Sequence, residues 1–408
     1  MQPRATACGG VLLGVALALL PGHRALAQSP VYRVYVANES SDLISRVAFR
    51  PGQGAVVEKE IAVGVMPGDN DGAHGLSVSP DGRHWYVTIA HGTPYGHVWK
   101  FHAGPDTLVA RTRLGLFPAT MGITPDGQFM LTANFNLHGD MVPSDISAVY
   151  TPEMVEVAKI ETCLMPHGSR VRPDGTRHYS ACMHSEQLVE IDLATFEVSA
   201  RFDVTPGQEG TLPAQRGGRG EGHLDATPSE PPRLRPRDAR KPPGHGAPGG
   251  MPDRVCSPTW VEPGLGARAN RVVYVACNKN GEVLEVDTEL WEVSRRFSTG
   301  TAPYNLEATL DGERLIATLK GEQAVAVFDL AAGVEIGRVA TSRPVTHGVV
   351  ASPDGRFAFV SNESIGSVRG TLDVIDLQSL AVVATLELEH QSGGIDFWPG
   401  PPSSGGVR

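Results

Sequence analysis

The sequence predicts an all-β protein, a seven-bladed β-propeller with four antiparallel strands in each blade. Three observations predict this fold class. A short Pro-Asp-Gly turn recurs along the 408 residues. Each copy lies within a set of four short apolar strands that repeats about every 45 residues, a period typical of propeller blades. The two ends of the chain carry incomplete sets that complement each other.

The turns define the repeat. They read SPDG at 79–82, TPDG at 124–127, RPDG at 172–175, LDG at 310–312 and SPDG at 352–355. One apolar strand precedes each turn and a second follows it, as in HWYVTIA and RFAFVSN. Third and fourth strands then follow, as in QLVEIDLAT and FEVSARFDV. Apolar and polar residues alternate as half-buried strands require, and the turn glycine supplies the positive φ of a tight hairpin.

Counting the units predicts seven blades. Six complete units begin near His74, Ala119, His167, Ser257, Tyr304 and His347. The N-terminal part, VYRVYVANESSDLISRVAF with VVEKEIAV, supplies three strands, and SGGIDFWPG near the C-terminus supplies one. Joined, they form a composite blade, which we number blade 1. This closure removes the exposed sheet edges that would otherwise invite aggregation.

The first 27 residues are predicted to be a signal peptide, and residues 28–408 to form the propeller. Arg4 provides the positive start, Val11–Leu20 the apolar segment, and Ala25-Leu26-Ala27 the small-residue cleavage pattern. The apolar segment is too short to span a bilayer. We therefore expect a periplasmic or secreted protein with no membrane span.

Residues 205–252 interrupt the repeat. This segment is rich in Pro, Gly and Arg, including the run PPRLRPRDARKPPGHGAPGG. Such a composition does not form a packed core. We expect a disordered insertion between blades four and five.

The charge excludes two classes of partner. The formal net charge is −10, and removal of residues 1–27, which contain Arg4 and Arg24 and no acidic residue, makes it −12. An acidic protein is not expected to bind nucleic acid or anionic membranes. We expect a monomer whose ligand is a small molecule or a protein.

Four cysteines remain after cleavage: Cys163, Cys182, Cys256 and Cys277. Cys182 and Cys277 end the second strands of two blades, and Cys163 and Cys256 each precede a first strand. Antiparallel pairing brings these ends together, so we predict the disulfides Cys163–Cys182 and Cys256–Cys277, as expected in an oxidising compartment. The alternative is thiolate ligation of copper beside His167 and His184.

Three histidines share one register. The residue seven positions before the turn aspartate begins the first strand of a blade, which lines the central channel of a propeller. It is His74, His167 and His347 in blades two, four and seven, and Ala119, Tyr304, Ser257 and Gly393 in the others, the last two being placed by matching prolines. Three imidazoles around one axis match a metal site with open coordination positions. Imidazole suits copper, zinc, iron or nickel.

A second set of polar residues is predicted on the same face, which we call the top face. His91 and His184 lie ten residues after their turn aspartates, and His138 lies in an enlarged loop of blade three. Asp69, Asp71 and Asp140 occupy loops of the same face and are candidates to orient the ligand imidazoles. The alternative is that these histidines are structural, bonding neighbouring loops or solvent.

The repeats YVANESSDLISRVAF, FVSNESIGSVRGTLDVIDL and YVACNKNGEVLEVD resemble those of the YVTN-type seven-bladed propellers of exported bacterial proteins. The resemblance covers nearly all of the mature chain except the insertion. It implies the architecture and leaves the activity open, since related propellers include passive binding proteins, lactonase-like enzymes and reductase domains that hold heme or copper.

Two hypotheses of function follow. The first is an exported propeller whose histidine-lined top-face funnel binds a ligand, a transition metal with copper favoured. The second is a metal-free propeller that binds a protein, a peptide or a cell-envelope component. A lactonase-like hydrolase is a weaker third hypothesis, and whether the protein is an enzyme stays open. The sequence contains no G-x-S-x-G nucleophile elbow and no C-x-x-C-H heme attachment motif.

Overall fold

Seven antiparallel sheets form the computed structural model, which describes residues 30–65, 69–92, 94–213 and 254–400. The strands in chain order are β1 (Tyr32–Asn38), β2 (Leu43–Arg50) and β3 (Gly54–Ala62) in blade 1; β4 (Ala73–Val78), β5 (His84–Ile89), β6 (His97–His102) and β7 (Thr107–Arg113) in blade 2; β8 (Pro118–Ile123), β9 (Phe129–Asn134), β10 (Ser144–Tyr150) and β11 (Val155–Cys163) in blade 3; β12 (Pro166–Val171), β13 (Arg177–Cys182), β14 (Gln187–Asp192), β15 (Glu197–Asp203) and β16 (Gly210–Thr211) in blade 4; β17 (Pro258–Pro263), β18 (Val272–Cys277), β19 (Glu282–Asp287) and β20 (Glu292–Ser298) in blade 5; β21 (Pro303–Ala308), β22 (Arg314–Leu319), β23 (Ala324–Asp329) and β24 (Val334–Ala340) in blade 6; β25 (Thr346–Ala351), β26 (Phe357–Asn362), β27 (Thr371–Asp376) and β28 (Ala381–Glu387) in blade 7; and β29 (Ser392–Trp398).

The closing blade is built as predicted. β29 pairs with β1 in antiparallel register, with Val34 opposite Phe397 and Val36 opposite Ile395. The four strands of blade 1 therefore run in the order β29-β1-β2-β3. This arrangement confirms the seven-bladed propeller and the closure of its ring by the two ends of the chain.

The copies of the turn share one pattern of hydrogen bonds. In the first copy the Ser79 hydroxyl donates to Asp81 Oδ1, which also accepts the backbone N–H of Arg83. Gly82 has φ +68° and donates its N–H to the Ser79 carbonyl. The copies that begin at Thr124, Thr309 and Ser352 form the same hydroxyl–aspartate bond.

Hydrophobic packing occurs between the blades. Seven clusters of buried side chains lie one at each interface between neighbouring sheets. Between blades 1 and 2, for example, Tyr35 stacks on Trp85 with ring centroids 5.2 Å apart. Because the apolar clusters lie between neighbouring blades, the hydrophobic core forms a ring around the channel.

Both predicted disulfides are present. Cys163–Cys182 joins the end of β11 to the end of β13, with Cα atoms 5.9 Å apart. Cys256–Cys277 joins the segment before β17 to the end of β18, with Cα atoms 4.4 Å apart. The sulfur atoms are thereby unavailable as thiolate ligands. Nowhere in the four described ranges is there a helix long and apolar enough to cross a bilayer.

Two predicted segments lie wholly or mainly outside the described residues. These are the signal peptide, 1–27, and residues 214–252 of the insertion. The first part of the insertion is described: β16 pairs with β15, and Glu209 forms an ion pair with Arg296. Residues 205–213 therefore extend blade 4 by a short fifth strand.

Candidate functional site

The three hub histidines meet at the top of the channel. Each is the second residue of a first strand: His74 in β4, His167 in β12 and His347 in β25. The His74 ring centroid is 6.1 Å from that of His167 and 6.3 Å from that of His347. His167 and His347 are only 1% and 5% exposed. The structure therefore brings together the three residues that the repeat register selected.

A glycine after each hub histidine allows this convergence. A Cβ atom at Gly75 would lie 2.0 Å from the Ala119 carbonyl oxygen of the next blade. At Gly168 it would lie 2.5 Å from Trp260 Cα, and at Gly348 2.4 Å from the Gly393 oxygen. Any larger residue would push the first strands apart and widen the histidine cluster.

The register of blade 5 differs from the prediction. In β17, Pro258 pairs with Cys277 as Pro166 pairs with Cys182, so the hub residue is Thr259 and not Ser257. Ser257 has φ +49°, the left-handed conformation that also occurs two residues before His167 and His347. Counting back from a turn proline was wrong here because the proline used, Pro263, is the last residue of β17 and corresponds to Val171 of β12, not to the turn proline that follows it.

One ring nitrogen of each hub histidine faces an oxygen. His74 Nδ1 lies 2.8 Å from Glu39 Oε2, and His347 Nε2 lies 3.1 Å from Glu363 Oε1. His167 Nδ1 donates to the Thr259 carbonyl oxygen at 3.0 Å. Metal-ligating histidines are oriented in this way, since a partner on one nitrogen fixes the tautomer and directs the other nitrogen to the ion.

The second nitrogens have different surroundings. His347 Nδ1 is buried and has no hydrogen-bond partner in the part of the chain that the structure describes. His167 Nε2 accepts a hydrogen bond of 3.2 Å from the Tyr304 hydroxyl. The Tyr304 ring also packs against His347, with centroids 4.6 Å apart, and beneath Lys320 Nζ at 4.2 Å. A ligand on His167 Nε2 would therefore have to displace the Tyr304 hydroxyl.

Of the second set of histidines, His91 joins the cluster directly. His91 Nε2 lies 2.7 Å from Glu39 Oε1, so Glu39 bridges His74 and His91. The ring of His138 is 6.2 Å from that of His91, and both rings pack against Phe117 at 5.5 Å.

His184 lies apart from this group. Among the described residues its ring makes no ring contact and no side-chain hydrogen bond with the other histidines. Burial, with the nearby charges of Arg254 and Lys279, lowers the pKa of His184 to about 4.

The aspartates assigned to orient the ligands have other contacts in the structure. Asp71 Oδ2 accepts the backbone N–H of Val65 at 2.6 Å, and the carbonyl of Asp140 accepts from the Asn136 side chain. Asp69 is exposed. Glu39 and Glu363 are the carboxylates that contact ring nitrogens of the hub histidines. The charge of Asp71 helps to raise the pKa of His91, and the Asp71 carbonyl accepts the backbone N–H of His91 at 3.0 Å. The orienting role of the three aspartates stays a prediction.

Sequence reasoning missed a second ring of positions. Glu39, Lys320 and Glu363 each follow the last residue of a second strand, in blades 1, 6 and 7. The motif Asn-Glu-Ser occurs in both YVANES and FVSNES, and its repetition was a signal for these carboxylates. The corresponding residues of blades 2 to 4 are Ala90, Phe135 and Met183, so one side of the ring is charged and the other apolar.

Burial and neighbouring charges set the protonation of the cluster. Burial raises the pKa of the Glu39 carboxyl, but the charges and hydrogen bonds of His74 and His91 outweigh it and hold the pKa well below its usual range. The hydrogen bond to Glu39 raises the pKa of His91. Burial lowers the pKa of His167 to about 3 and that of His347 well below its ordinary value. His167 and His347 are therefore neutral at physiological pH and retain a lone pair.

The opposite end of the channel is acidic. A cavity of about 210 Å³ is bordered there by Arg170, Glu307 and Asp396. Glu307 accepts the backbone N–H of Ala351 and Asp396 that of Val78, so each carboxylate bonds the strand of a neighbouring blade. Burial raises the pKa of Asp396 to about 6. These bonds indicate a structural role between blades.

Side-chain geometry does not amount to a formed metal site. Within the described ranges, no three or more His, Cys, Asp or Glu side chains have donor atoms gathered closely enough to hold an ion as they stand. The hub histidines thus have the ring orientation typical of metal ligands, but the nitrogens that would bind an ion are not directed to one common position.

Comparison with solved structures supports the fold. A protein of unknown function from Desulfotomaculum acetoxidans aligns with TM-score 0.62 and 16% identity, over 90% of this chain and 98% of the other. The periplasmic gluconolactonase of Pseudomonas aeruginosa aligns with TM-score 0.62 and 16% identity, over 90% and 99%. A dihydro-heme d1 dehydrogenase aligns with TM-score 0.54 and 15% identity, over 93% and 78%.

At these identities the likeness establishes the propeller fold alone. No family model matches the sequence, and no curated protein matches it significantly. The YVTN-type family assignment therefore stays a prediction. Two disulfides agree with the expected periplasmic or secreted location, which likewise stays a prediction.

Proposed function

We propose that this protein is an exported β-propeller that binds one transition-metal ion between His74, His167 and His347. The orientation of the three rings carries the proposal. Each ring has one nitrogen facing a carboxylate or carbonyl oxygen, from Glu39, Thr259 or Glu363. A partner on one nitrogen fixes the tautomer of the ring and directs the other nitrogen to the ion.

The chemistry of the donors supports a metal. Ligating imidazoles must be neutral, and burial keeps His167 and His347 neutral by lowering their pKa. Three imidazoles and two nearby carboxylates suit copper, zinc, iron or nickel. Copper is favoured because divalent copper binds such donors most tightly in the first-row series.

Convergence of the nitrogens requires a small local change. The Tyr304 hydroxyl would release His167 Nε2, and the rings, already within 6.1 and 6.3 Å of His74, would turn towards one point. His91 and His138 lie on the same side as His74 and are further donors for the same ion.

A metal-free binding site is the second candidate. It is favoured by the bonds that the cluster already satisfies, Tyr304 to His167 and Lys320 to Glu363 at 3.2 Å each. In this case the mixed surface of charged and apolar residues would bind a small organic molecule or a protein segment. A lactonase-like activity is the enzymatic form of this candidate, suggested by the gluconolactonase among the structural neighbours.

Elemental analysis separates the two candidates. Tag-free protein is purified from the periplasm of an expression host, incubated with copper, zinc, iron or nickel, dialysed, and analysed by plasma mass spectrometry. We expect about one ion per chain in the wild type, and a metal content at least about tenfold lower in His74→Ala. The matched control is His102→Ala, an exposed histidine at the end of β6. Absence of all four metals after reconstitution would exclude the metal site.

A further inference from the structure

A small enclosed cavity extends down the channel from the hub histidines. Its volume is about 30 Å³. His74 and His347 border it at the top, and Arg170, three residues beyond the hub histidine of β12, borders it lower down. Trp260, which follows the hub residue of β17, and Asn305, which follows the hub residue of β21, form part of its wall.

Three residues of this wall have buried polar atoms that form no hydrogen bond with another described residue. They are His347 Nδ1, Asn305 Oδ1 and Trp260 Nε1, each buried and without a partner in the described ranges. Their residues are 5%, 4% and 5% exposed. Buried polar groups in native proteins form hydrogen bonds with protein or with ordered water. Three unpartnered polar atoms around one cavity therefore indicate that a molecule occupies it.

The three atoms define what that occupant must be. The indole N–H donates, the amide oxygen accepts, and His347 Nδ1 accepts because Nε2, which faces the Glu363 carboxylate at 3.1 Å, is the nitrogen that donates. A molecule that donates two hydrogen bonds and accepts one satisfies all three. Water does so, and the cavity exceeds the space that one water requires.

Other occupants fit less well. A metal ion gains nothing from the indole N–H, which cannot ligate. An anion would meet two acceptor atoms. The space suits one or two water-sized molecules and does not suit a sugar lactone. The site therefore selects a neutral molecule of one or two non-hydrogen atoms that is rich in donors.

We propose that this cavity is a binding site for one water molecule, bonded to His347 Nδ1, Asn305 Oδ1 and Trp260 Nε1. The water and the metal proposed above are alternatives at His347, because both would use the lone pair of Nδ1 while Nε2 faces Glu363. Metal-free protein is therefore the form in which the water site is tested, and a failure of either proposal can be told from a failure of the other.

A crystal structure of chelator-treated protein, at a resolution that shows ordered water, tests the proposal without any metal. We expect one full-occupancy water within about 3.2 Å of the three atoms. Trp260→Phe keeps the ring but removes the donor, and we expect the density to fall below half occupancy or to move. The matched control is Trp398→Phe, because the Trp398 N–H already donates to the Gly82 carbonyl.

Each outcome decides the question. Density in the wild type and in the control, reduced or displaced in Trp260→Phe, supports the site. A dry wild-type cavity, or side chains that turn to bond one another, overturns it even if the variant fails to fold. Density unchanged in Trp260→Phe also overturns it, since the indole N–H would then hold nothing.

Discussion

At the residue scale, Glu39 determines the electrostatics of the channel mouth. Its two carboxylate oxygens contact His74 Nδ1 at 2.8 Å and His91 Nε2 at 2.7 Å. The carboxyl is buried, so the loss of hydration must be offset by these two partners. They do offset it, because its pKa is held well below the usual range.

Replacing Glu39 with Gln keeps the size of the side chain and removes its charge. We expect the pKa of His91 to fall towards its ordinary value, because the hydrogen bond and charge of Glu39 raise it. Proton NMR of the His91 ring during a pH titration measures the shift. In Glu58→Gln, which removes a carboxylate of the outermost strand, β3, that pairs with Arg33, the His91 titration should not change.

The same variant changes how stability depends on pH. A histidine whose pKa is raised on folding adds stability that is complete below its unfolded pKa, about 6.5, and is lost as the pH rises through the folded pKa. Glu39→Gln should remove this contribution, so urea unfolding at pH 5 should show a greater loss than at pH 8. An equal loss at both pH values would contradict the assigned pair.

Residue-scale prediction from sequence succeeded for groups that share a repeat register and failed for their partners. His74, His167 and His347 could be selected because the turn aspartate provides a fixed origin for counting. Glu39 and Glu363 could not be assigned to them, since their approach to the axis depends on packing between blades 1, 2 and 7. Counting also placed the hub residue of blade 5 at Ser257 instead of Thr259, because Pro263 lies in the first strand and not in the turn.

At the scale of strands, close approach between blades is the main constraint. The first strands lie close together around the channel. A Cβ atom added at Gly168 in β12 would lie 2.5 Å from Trp260 Cα in β17. The neighbour is backbone, so it cannot move aside as a flexible side chain would. Repeat periodicity predicts these strands well, whereas such contacts appear only once neighbouring blades are packed.

Gly168→Ala should therefore destabilise the protein by about 3 kcal/mol, the upper range for overpacking. Chemical denaturation monitored by tryptophan fluorescence measures the change. Gly210→Ala is the matched control, because a Cβ atom there meets nothing within 4 Å. We expect the control to stay within about 0.5 kcal/mol of the wild type. A tolerated Gly168→Ala would mean that the first strands are further apart than described.

At the scale of the whole molecule, the ring of seven blades is closed in blade 1, where no turn connects the first strand to the second. In blades 2 to 7 the chain runs directly from the first strand into the second. In blade 1 the corresponding strands, β29 and β1, belong to opposite ends of the chain and are joined by hydrogen bonds and packing. Trp398 anchors this pair, with its ring 5.6 Å from Tyr35 and its N–H on the Gly82 carbonyl at 2.9 Å.

Trp398→Ala should open the ring at this position before the rest of the molecule unfolds. Loss of a buried tryptophan costs about 3–5 kcal/mol, and here the cost falls on strands that no turn holds together. Local opening of this kind is measured by native-state hydrogen exchange with mass spectrometry. Peptides covering Tyr32–Asn38 and Ser392–Trp398 should lose protection, while Val272–Cys277, held by a disulfide in blade 5, should keep it. Equal loss of protection in all three peptides would instead mean that the ring unfolds as one cooperative unit, with closure no weaker than any other blade.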